Sequence, residues 1–413
     1  MISALLVGMF VVLLLIGIPV SASLMLATGI AMVVGGYDLM GIPHLMTELG
    51  MTRRIFDFAQ AAVGWLRGGL AYANVVAGFI FSGISGAAVA DAAALGSISM
   101  REMPRAGYER PFAAAIVMSV STLGPIIPPS IMMVVYAIAA DVSIARMFLA
   151  GLVPGLVIAL ALSALVAVYA SLRLTPMPEP QPFRGRRLYE STRAAFLALL
   201  APLVILRGMA TGLVTPTEAG VLASLYALLV AAIERRLALK PILRAFRETV
   251  ESSAHILFII AASSALSHVF VSEGTAAEVA GLLAAASVGT ASFLLLANLM
   301  LLVLGCLIET LPAMLIAVPL LLPTAKALGI DLVHLGIVII FNLLIGIMTP
   351  PMGIGLYILA AISRVSIGAL AWAALPFVAL LIGVLLLLTF VPALSLWLPD
   401  LLLPDPSALR RVP

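Results

Sequence analysis

Gly124-Pro125-Ile126-Ile127-Pro128-Pro129-Ser130 interrupts an apolar run that otherwise extends over 112–140. A second run, 333–362, is interrupted in the same way by Gly346-Ile347-Met348-Thr349-Pro350-Pro351. Proline lacks the N–H and its ring clashes with the preceding turn, so a double proline breaks a helix. Broken backbone at membrane depth survives only where protein or a watery cavity satisfies its polar groups.

The surroundings make membrane depth the right frame. Of the 413 residues, 63% are hydrophobic and only 10% charged, and the mean hydropathy is +1.23. A soluble domain is about half apolar and about a quarter charged. This composition excludes a cytosolic enzyme, a nucleic-acid binder and a secreted disulfide scaffold. The net charge of +3 comes from bases in short loops, which report orientation rather than a polyanion partner. One cysteine, Cys306, excludes an internal disulfide and a cysteine-rich metal site. The apolar start is too long for a cleaved signal and has no basic n-region. Further candidate spans lie at 2–35, 152–172, 195–214, 217–233, 253–271 and 370–398, each at least as long as the roughly 17 residues that a short crossing needs.

Two other stretches read as hairpins. Between Gly69 and Arg101, two apolar arms flank Ser82-Gly83-Ile84-Ser85-Gly86. From Ala291 to Lys326 the form recurs, turning around Gly305-Cys306-Leu307-Ile308-Glu309-Thr310-Leu311-Pro312. Arms of roughly 13–15 residues reach about 20 Å, short of the ~30 Å core. Re-entrant hairpins and two thin, tilted spans both fit, and the short arms favour the hairpins.

The halves repeat. A shift of 222 positions brings Gly83 onto Gly305, Gly107 onto Gly329 and Glu109 onto Asp331. It also brings Gly124 onto Gly346, Pro128-Pro129 onto Pro350-Pro351 and Pro154 onto Pro376, and Val142-Ser143-Ile144 matches Val365-Ser366-Ile367 with a one-residue slip. Basic clusters at Arg101, Arg105 and Arg110, at Arg173, Arg184, Arg186, Arg187 and Arg193, and at Arg235, Arg236, Lys240, Arg244 and Arg247 fall on one face if the hairpins return to their own side. That face is the cytoplasm, and the second hairpin enters from the opposite side. The expected fold is an all-α polytopic membrane protein, with inverted repeats, two re-entrant helical hairpins and two interrupted helices, of the ion-transporter-like elevator type. Such features mark secondary transporters with a site near the midplane.

The candidate site residues lie at hairpin tips and helix breaks. Asp91, on the return arm of the first hairpin, is either a structural partner for backbone N–H or base, or a gating and coupling group, since an intramembrane carboxylate costs ~2.5–3.5 kcal/mol on insertion scales. Glu309 is either the second tip's counterpart or a cap of the returning arm. Ser85, Asp91, Ser130 and Thr349 are expected to bind substrate. Ser85, Gly86, Gly124, Pro125, Gly305, Glu309, Thr310, Gly346 and Thr349 are expected to hold ions, because freed carbonyls and hydroxyls ligate Na⁺ and the half-helices after Pro129 and Pro351 aim N–H groups at a carboxylate. Asn74, Asn298 and Asn342 read as interhelical hydrogen-bonding groups or ion ligands. His255, His268 and Glu218 read as interfacial, with proton coupling as the alternative role. Two amphipathic stretches, 52–66 and 236–251, suit the inner interface. No His pair, phosphate loop or nucleophile elbow is present, so no enzyme is expected.

Several of these runs carry a family resemblance. Phe81-Ser82-Gly83-Ile84-Ser85-Gly86-Ala87-Ala88-Val89-Ala90-Asp91-Ala92-Ala93-Ala94-Leu95-Gly96-Ser97, Gly124 to Ser130, Thr215-Pro216-Thr217-Glu218-Ala219, Ala327-Leu328-Gly329-Ile330-Asp331, Thr349-Pro350-Pro351-Met352-Gly353 and Val391-Pro392-Ala393-Leu394-Ser395-Leu396-Trp397-Leu398-Pro399 resemble the motifs of TRAP transporter large permease (DctM-type) subunits, in family order. The resemblance implies the Na⁺-coupled subunit of a tripartite importer of organic acids, usually dicarboxylates and other carboxylates, in the bacterial inner membrane. It implies no cofactor beyond the coupling Na⁺. A small four-helix membrane subunit and an extracytoplasmic solute-binding protein are its implied partners. A stand-alone ion-coupled carboxylate carrier is the alternative.

Two departures from the family stand out. Ala87 and Ala88 replace the usual serines. Pro216 to Gly305 spans 89 residues, whereas Pro19 to Gly83 spans 64, so the first repeat is short by roughly one membrane span. One crossing is therefore expected over 2–35, bent near Pro19, with the N-terminus outside. The resulting organisation is 1–67 shortened scaffold and interfacial helix, 68–150 first transport half, 151–252 scaffold and arm helices, 253–290 connecting span, 291–366 second transport half and 367–413 C-terminal scaffold and tail.

Overall fold

A computed structural model describes residues 51–180, 182–210, 216–233, 247, 281, 289–351 and 353–403, and the ordered elements among them are helices. The expectations for the 2–35 crossing, the 253–271 span, His255 and His268 lie outside the described residues, as does the 236–251 helix apart from Arg247.

The first half comprises α1 (Met51–Val63), α2 (Gly69–Ser85), α3 (Ala88–Arg105), α4 (Arg110–Ser121), α5 (Ile131–Ala140) and α6 (Ile144–Leu172). Then come α7 (Gly185–Ala210) and α8 (Pro216–Ile233). The second half comprises α9 (Thr290–Leu307), α10 (Thr310–Ala327), α11 (Leu332–Gly346), α12 (Ile354–Ser363), α13 (Ile367–Phe390) and α14 (Ala393–Leu402). By length and composition, α6, α9, α10 and α13 are able to cross a membrane.

The duplication is carried by the termini of these helices. A 222-residue shift lays the bounds of α3 on those of α10. Gly107 and Gly329 both take positive φ, at 96° and 68°, in the turns before α4 and α11. Ser143 caps α6 by accepting Arg146 N–H at 3.3 Å, and Ser366 caps α13 by accepting Ala369 N–H at 3.4 Å. Asp331 caps α11, accepting the N–H groups of Val333 and His334. Its counterpart Glu109 occupies the same position without a side-chain cap bond.

The helices do break where the proline pairs stand, between α4 and α5 and between α11 and α12. Each hairpin turns in two residues, Gly86-Ala87 and Ile308-Glu309. One expectation needs correction. The arms have 17 to 18 residues, not 13–15, or about 26 Å at 1.5 Å per residue. The first arm runs through Gly83 because that buried glycine stays helical, pressed against Pro202 of α7 and near Pro128 O.

The halves interlock. The return arm α3 packs on α12 of the other half, and α10 packs on α5. Tyr136 of α5 donates to Leu332 O at 2.6 Å, and its ring lies where a side chain on Gly336 would be. Phe112 of α4 meets Tyr169 of α6 and Phe377 of α13, with centroids 5.1 and 6.0 Å apart.

The amphipathic reading of 52–66 holds for α1. Ile55, Phe56 and Ala59 are buried, while Arg53 and Asp57 are half-exposed. Partial burial pushes the Asp57 carboxyl above its ordinary value, opposed by Arg53 and Arg187. Arg53 reaches Glu102 at the end of α3, and Gln60 accepts from Arg187 at the start of α7. Through α1, the first two basic clusters therefore share one face.

At the far end of the chain, Arg146 donates to Leu403 O and to Asp400 Oδ1, both at 2.6 Å. The guanidinium is largely buried and satisfies the C-terminus of α14, where cations are favourable. Arg146→Ala is expected to weaken α14 docking by about 2 kcal/mol, the range for charged hydrogen bonds. Limited proteolysis should cut within 393–403 faster, with Arg146→Lys intermediate.

Candidate functional site at the hairpin tips and helix breaks

The first tip is assembled around Asp91. Gly86 ends α2 in the left-handed region, φ 65°, and Ala87 is extended, so α3 starts two residues on with Asp91 in its first turn. An anion is favourable there because the helix N-terminus carries partial positive charge. Asp91 is fully buried. Ser82 Oγ donates to its Oδ2 at 2.9 Å and Ser85 Oγ donates to its Oδ1. Among the described residues, no basic side chain pairs with it.

The break between α4 and α5 lies against this carboxylate. A β-carbon on Gly124 would be 2.6 Å from Asp91 Oδ2 and 3.1 Å from the carbonyl carbon of Ala87. One on Gly86 would collide with Pro129 O. These glycines are therefore required by close backbone approach. Ser130 is buried and doubly engaged: it caps α5 by accepting Met133 N–H and donates to Pro125 O at 2.6 Å. Its hydroxyl satisfies the broken backbone, leaving one lone pair for any other contact.

The second tip is built from backbone. A β-carbon on Gly346 would lie 2.6 Å from Gly305 Cα and O, and one on Gly305 would lie 3.2 Å from Leu343 Cα. Hairpin and break thus meet main chain to main chain. Thr349, partly buried, donates to Ile345 O at 2.9 Å. Ile347 O and Thr349 O turn toward Gly353, each 2.8 Å from the place of its absent side chain. Glu309 is exposed and forms no side-chain cap on α10; Thr310, beside it, is partly buried.

The sequence-predicted residues thus fall into two groups. Ser85, Gly86, Asp91, Gly124, Pro125 and Ser130 converge at the first tip; Gly305, Gly346 and Thr349 converge at the second. Glu309 and Thr310 stand at the turn. Among the described residues, no hydrogen bond joins the two tips.

Asn74 is an interhelical tie, donating to Leu70 O and accepting from Ser99 Oγ of α3. Sequence reasoning missed Ser82 as a second donor to Asp91. It also missed His334, which is buried with its ring nitrogens 2.8 Å from Ser395 Oγ and 3.3 Å from Thr389 O. The available signal was position: Ser82 lies one turn before Gly86, and His334 one turn after the capping Asp331.

The sequence profile of the tripartite ATP-independent periplasmic transporter DctM component matches residues 30–394. The chain belongs to this family. It is 38% identical over 371 residues to the C4-dicarboxylate TRAP transporter large permease protein DctM of Pseudomonas aeruginosa, covering 88% of this chain and 86% of that protein. It is 37% identical to the sialic acid TRAP transporter large permease protein SiaM of Vibrio cholerae, covering 89% and 88%. The crystal structure of the YdaH transporter of Alcanivorax borkumensis superposes with a TM-score of 0.58 at 16% identity, over 89% of this chain and 87% of that one. That likeness shows the fold. The family is a transporter family, not an enzyme class, and the apolar helices place the chain in a membrane.

Gly124→Ala is expected to cost about 1–3 kcal/mol by overpacking against Asp91 and Ala87 and to abolish uptake by the reconstituted transporter. Gly368→Ala, whose methyl meets nothing within 4 Å, should leave thermal unfolding and uptake unchanged.

Proposed function

We propose that the chain is the large membrane subunit of a tripartite, Na⁺-coupled secondary transporter. It imports an organic acid handed over by an extracytoplasmic binding protein, together with a small four-helix membrane subunit. The observation that carries this reading is the pairing of each hairpin tip with a proline-broken helix, one pair centred on a buried carboxylate and the other on main-chain oxygens.

The chemistry follows from the two kinds of group. Asp91 with Ser85 near Gly124, and the carbonyls near Gly305, Gly346 and Thr349, supply hard oxygen ligands for Na⁺. The N-termini of α5 and α12 follow the breaks and turn their positive dipole ends toward a carboxylate. C4-dicarboxylate, sialic acid and isethionate transport are named activities of relatives, and all three substrates are organic acids; this supports the substrate class.

Movement is proposed as an elevator. Segments 68–150 and 291–366 travel as one body past scaffold drawn from 1–67, 151–252 and 253–290. The sequence division placed 367–413 with the scaffold. The packing of Phe377 on Phe112 instead favours α13 travelling with the core. The inner bacterial membrane, with the basic clusters on the cytoplasmic side, is the proposed location. A stand-alone carrier is the competing reading, and dependence on the binding protein separates the two.

In proteoliposomes holding both membrane subunits, uptake should need an inward Na⁺ gradient and external binding protein, and an ionophore that collapses the gradient should stop it. Uptake on a proton gradient alone would contradict Na⁺ coupling, and uptake of free substrate would favour the stand-alone carrier. Asp91→Ala and Thr349→Ala should each cut uptake without loss of membrane insertion.

Sidedness has its own check. In a Cys306→Ala background, Pro182→Cys should be protected from an impermeant thiol reagent added outside, and Leu328→Cys should be labelled. The reverse pattern would invert the orientation.

A further inference from the structure

The two hairpins are held in different ways. The first is braced internally, by Ser82 and Ser85 on Asp91. The position corresponding to Asp91 in the second half is Ala313, and among the described residues no side-chain hydrogen bond joins α9 to α10. The second hairpin is bonded outward instead. Asn342 Nδ2 of α11 donates to both Asn298 O and Asn298 Oδ1 of α9, at 2.9 and 2.8 Å. Asn298 Nδ2 donates to Thr389 Oγ1 of α13 at 3.0 Å, and Thr389 donates to Leu385 O. All three side chains are buried, and among the described residues Asn342 Oδ1 has no hydrogen-bond partner.

The placement of this chain gives it a use. Asn342 is one helical turn before Gly346, and Asn298 is two turns before Gly305, so the bonds sit just below the contact between those glycines. At the position equivalent to Asn342 the first half has Val120, and there α2 meets α4 through apolar packing of Gly78 on Val120. A buried amide with an unmatched oxygen costs stability that an aliphatic pair would not. What the amides add is register: two bonds from one Nδ2 to two oxygens of one residue fix α9 along α11.

We propose that Asn342, acting with Asn298 and Thr389, is a positioning residue for the cation at the second tip. It holds α9 in the register that brings the Gly305 main chain onto Gly346 and beside Thr349. The claim rests on the reading of that tip as a Na⁺ site, and the cation's ligands themselves are not these side chains. Loss of an outer group that orients ligands typically costs about 10–100-fold in metal affinity or activity, and a group that only sets the register of the ligands acts on the affinity.

The test uses the complete transporter and the native Cys306, which neighbours Gly305 and is partly exposed. Asn342→Ala and Asn298→Ala should each raise the Na⁺ concentration for half-maximal uptake by about ten-fold or more. The KM for the organic acid at saturating Na⁺ should stay unchanged, and the double variant should be no worse than the worse single, because both act through the same bonds. Cys306 should be alkylated faster than in the wild type. If the alanine variants do not fold, Thr389→Val removes only the hydroxyl and should show the same shift in smaller measure. An unchanged Na⁺ dependence, a fall in maximal rate alone, or additive effects of the two alanines would each overturn the proposal. If wild-type uptake proves independent of Na⁺, the functional reading fails, and the positioning claim is decided by Cys306: equal alkylation of Asn342→Ala and wild type refutes it.

Discussion

Everything in this fold turns on main-chain groups that two proline pairs release inside an apolar body. Lipid offers nothing to bond them, so protein must. At the first break, Ser130 takes Pro125 O and caps the next half-helix. At the second, Thr349 takes Ile345 O, and Gly355 N–H reaches Ile347 O at 3.0 Å. The remaining peptide surface is covered by hairpin tips, and only glycine lets main chain lie against main chain so closely. Gly86 on Pro129 and Gly305 on Gly346 are the two contacts. The hairpins, their turns and the interlocking of the halves follow from the need to deliver those glycines to those breaks.

This explains what was legible in the sequence. Proline pairs and turn glycines act through local stereochemistry, so the breaks and the 222-residue repeat could be read directly. Ser143 with Ser366, and Gly107 with Gly329, perform the same local task in each half. Arm length was misjudged because Gly83 looks like a turn residue, yet Pro202 and Pro128, from elsewhere in the chain, pack the helix that runs through it. The Asn298–Asn342 pair and the His334 contacts depend on which faces of α9, α11, α13 and α14 meet. A uniformly apolar helix gives no periodic pattern from which to predict its neighbours.

The candidate residues were legible as tip and break positions, but their division between the two tips was not. Sequence placed hydroxyls, glycines and acids at both tips as though the halves were equivalent. The structure gives the carboxylate to the first tip alone: Asp91 is buried and bonded, whereas Glu309 is exposed at the turn and caps nothing. Duplication conserved the backbone device while the side chains diverged.

That divergence has an electrostatic consequence for the proposed transport cycle. A cation beside Asp91 makes a neutral pair, which a low-dielectric body tolerates far better than either charge alone. A cation held by main-chain oxygens at the second tip keeps its full charge and gains no counter-ion from the protein. The organic acid supplies one. With the N-termini of α5 and α12 adding positive potential nearby, substrate and second cation each reduce the cost of burying the other. Coupling of the two is then a matter of charge balance: once Asp91 holds its cation, the second cation and one carboxylate of the acid cancel when both are bound, and either one bound alone leaves an unmatched buried charge.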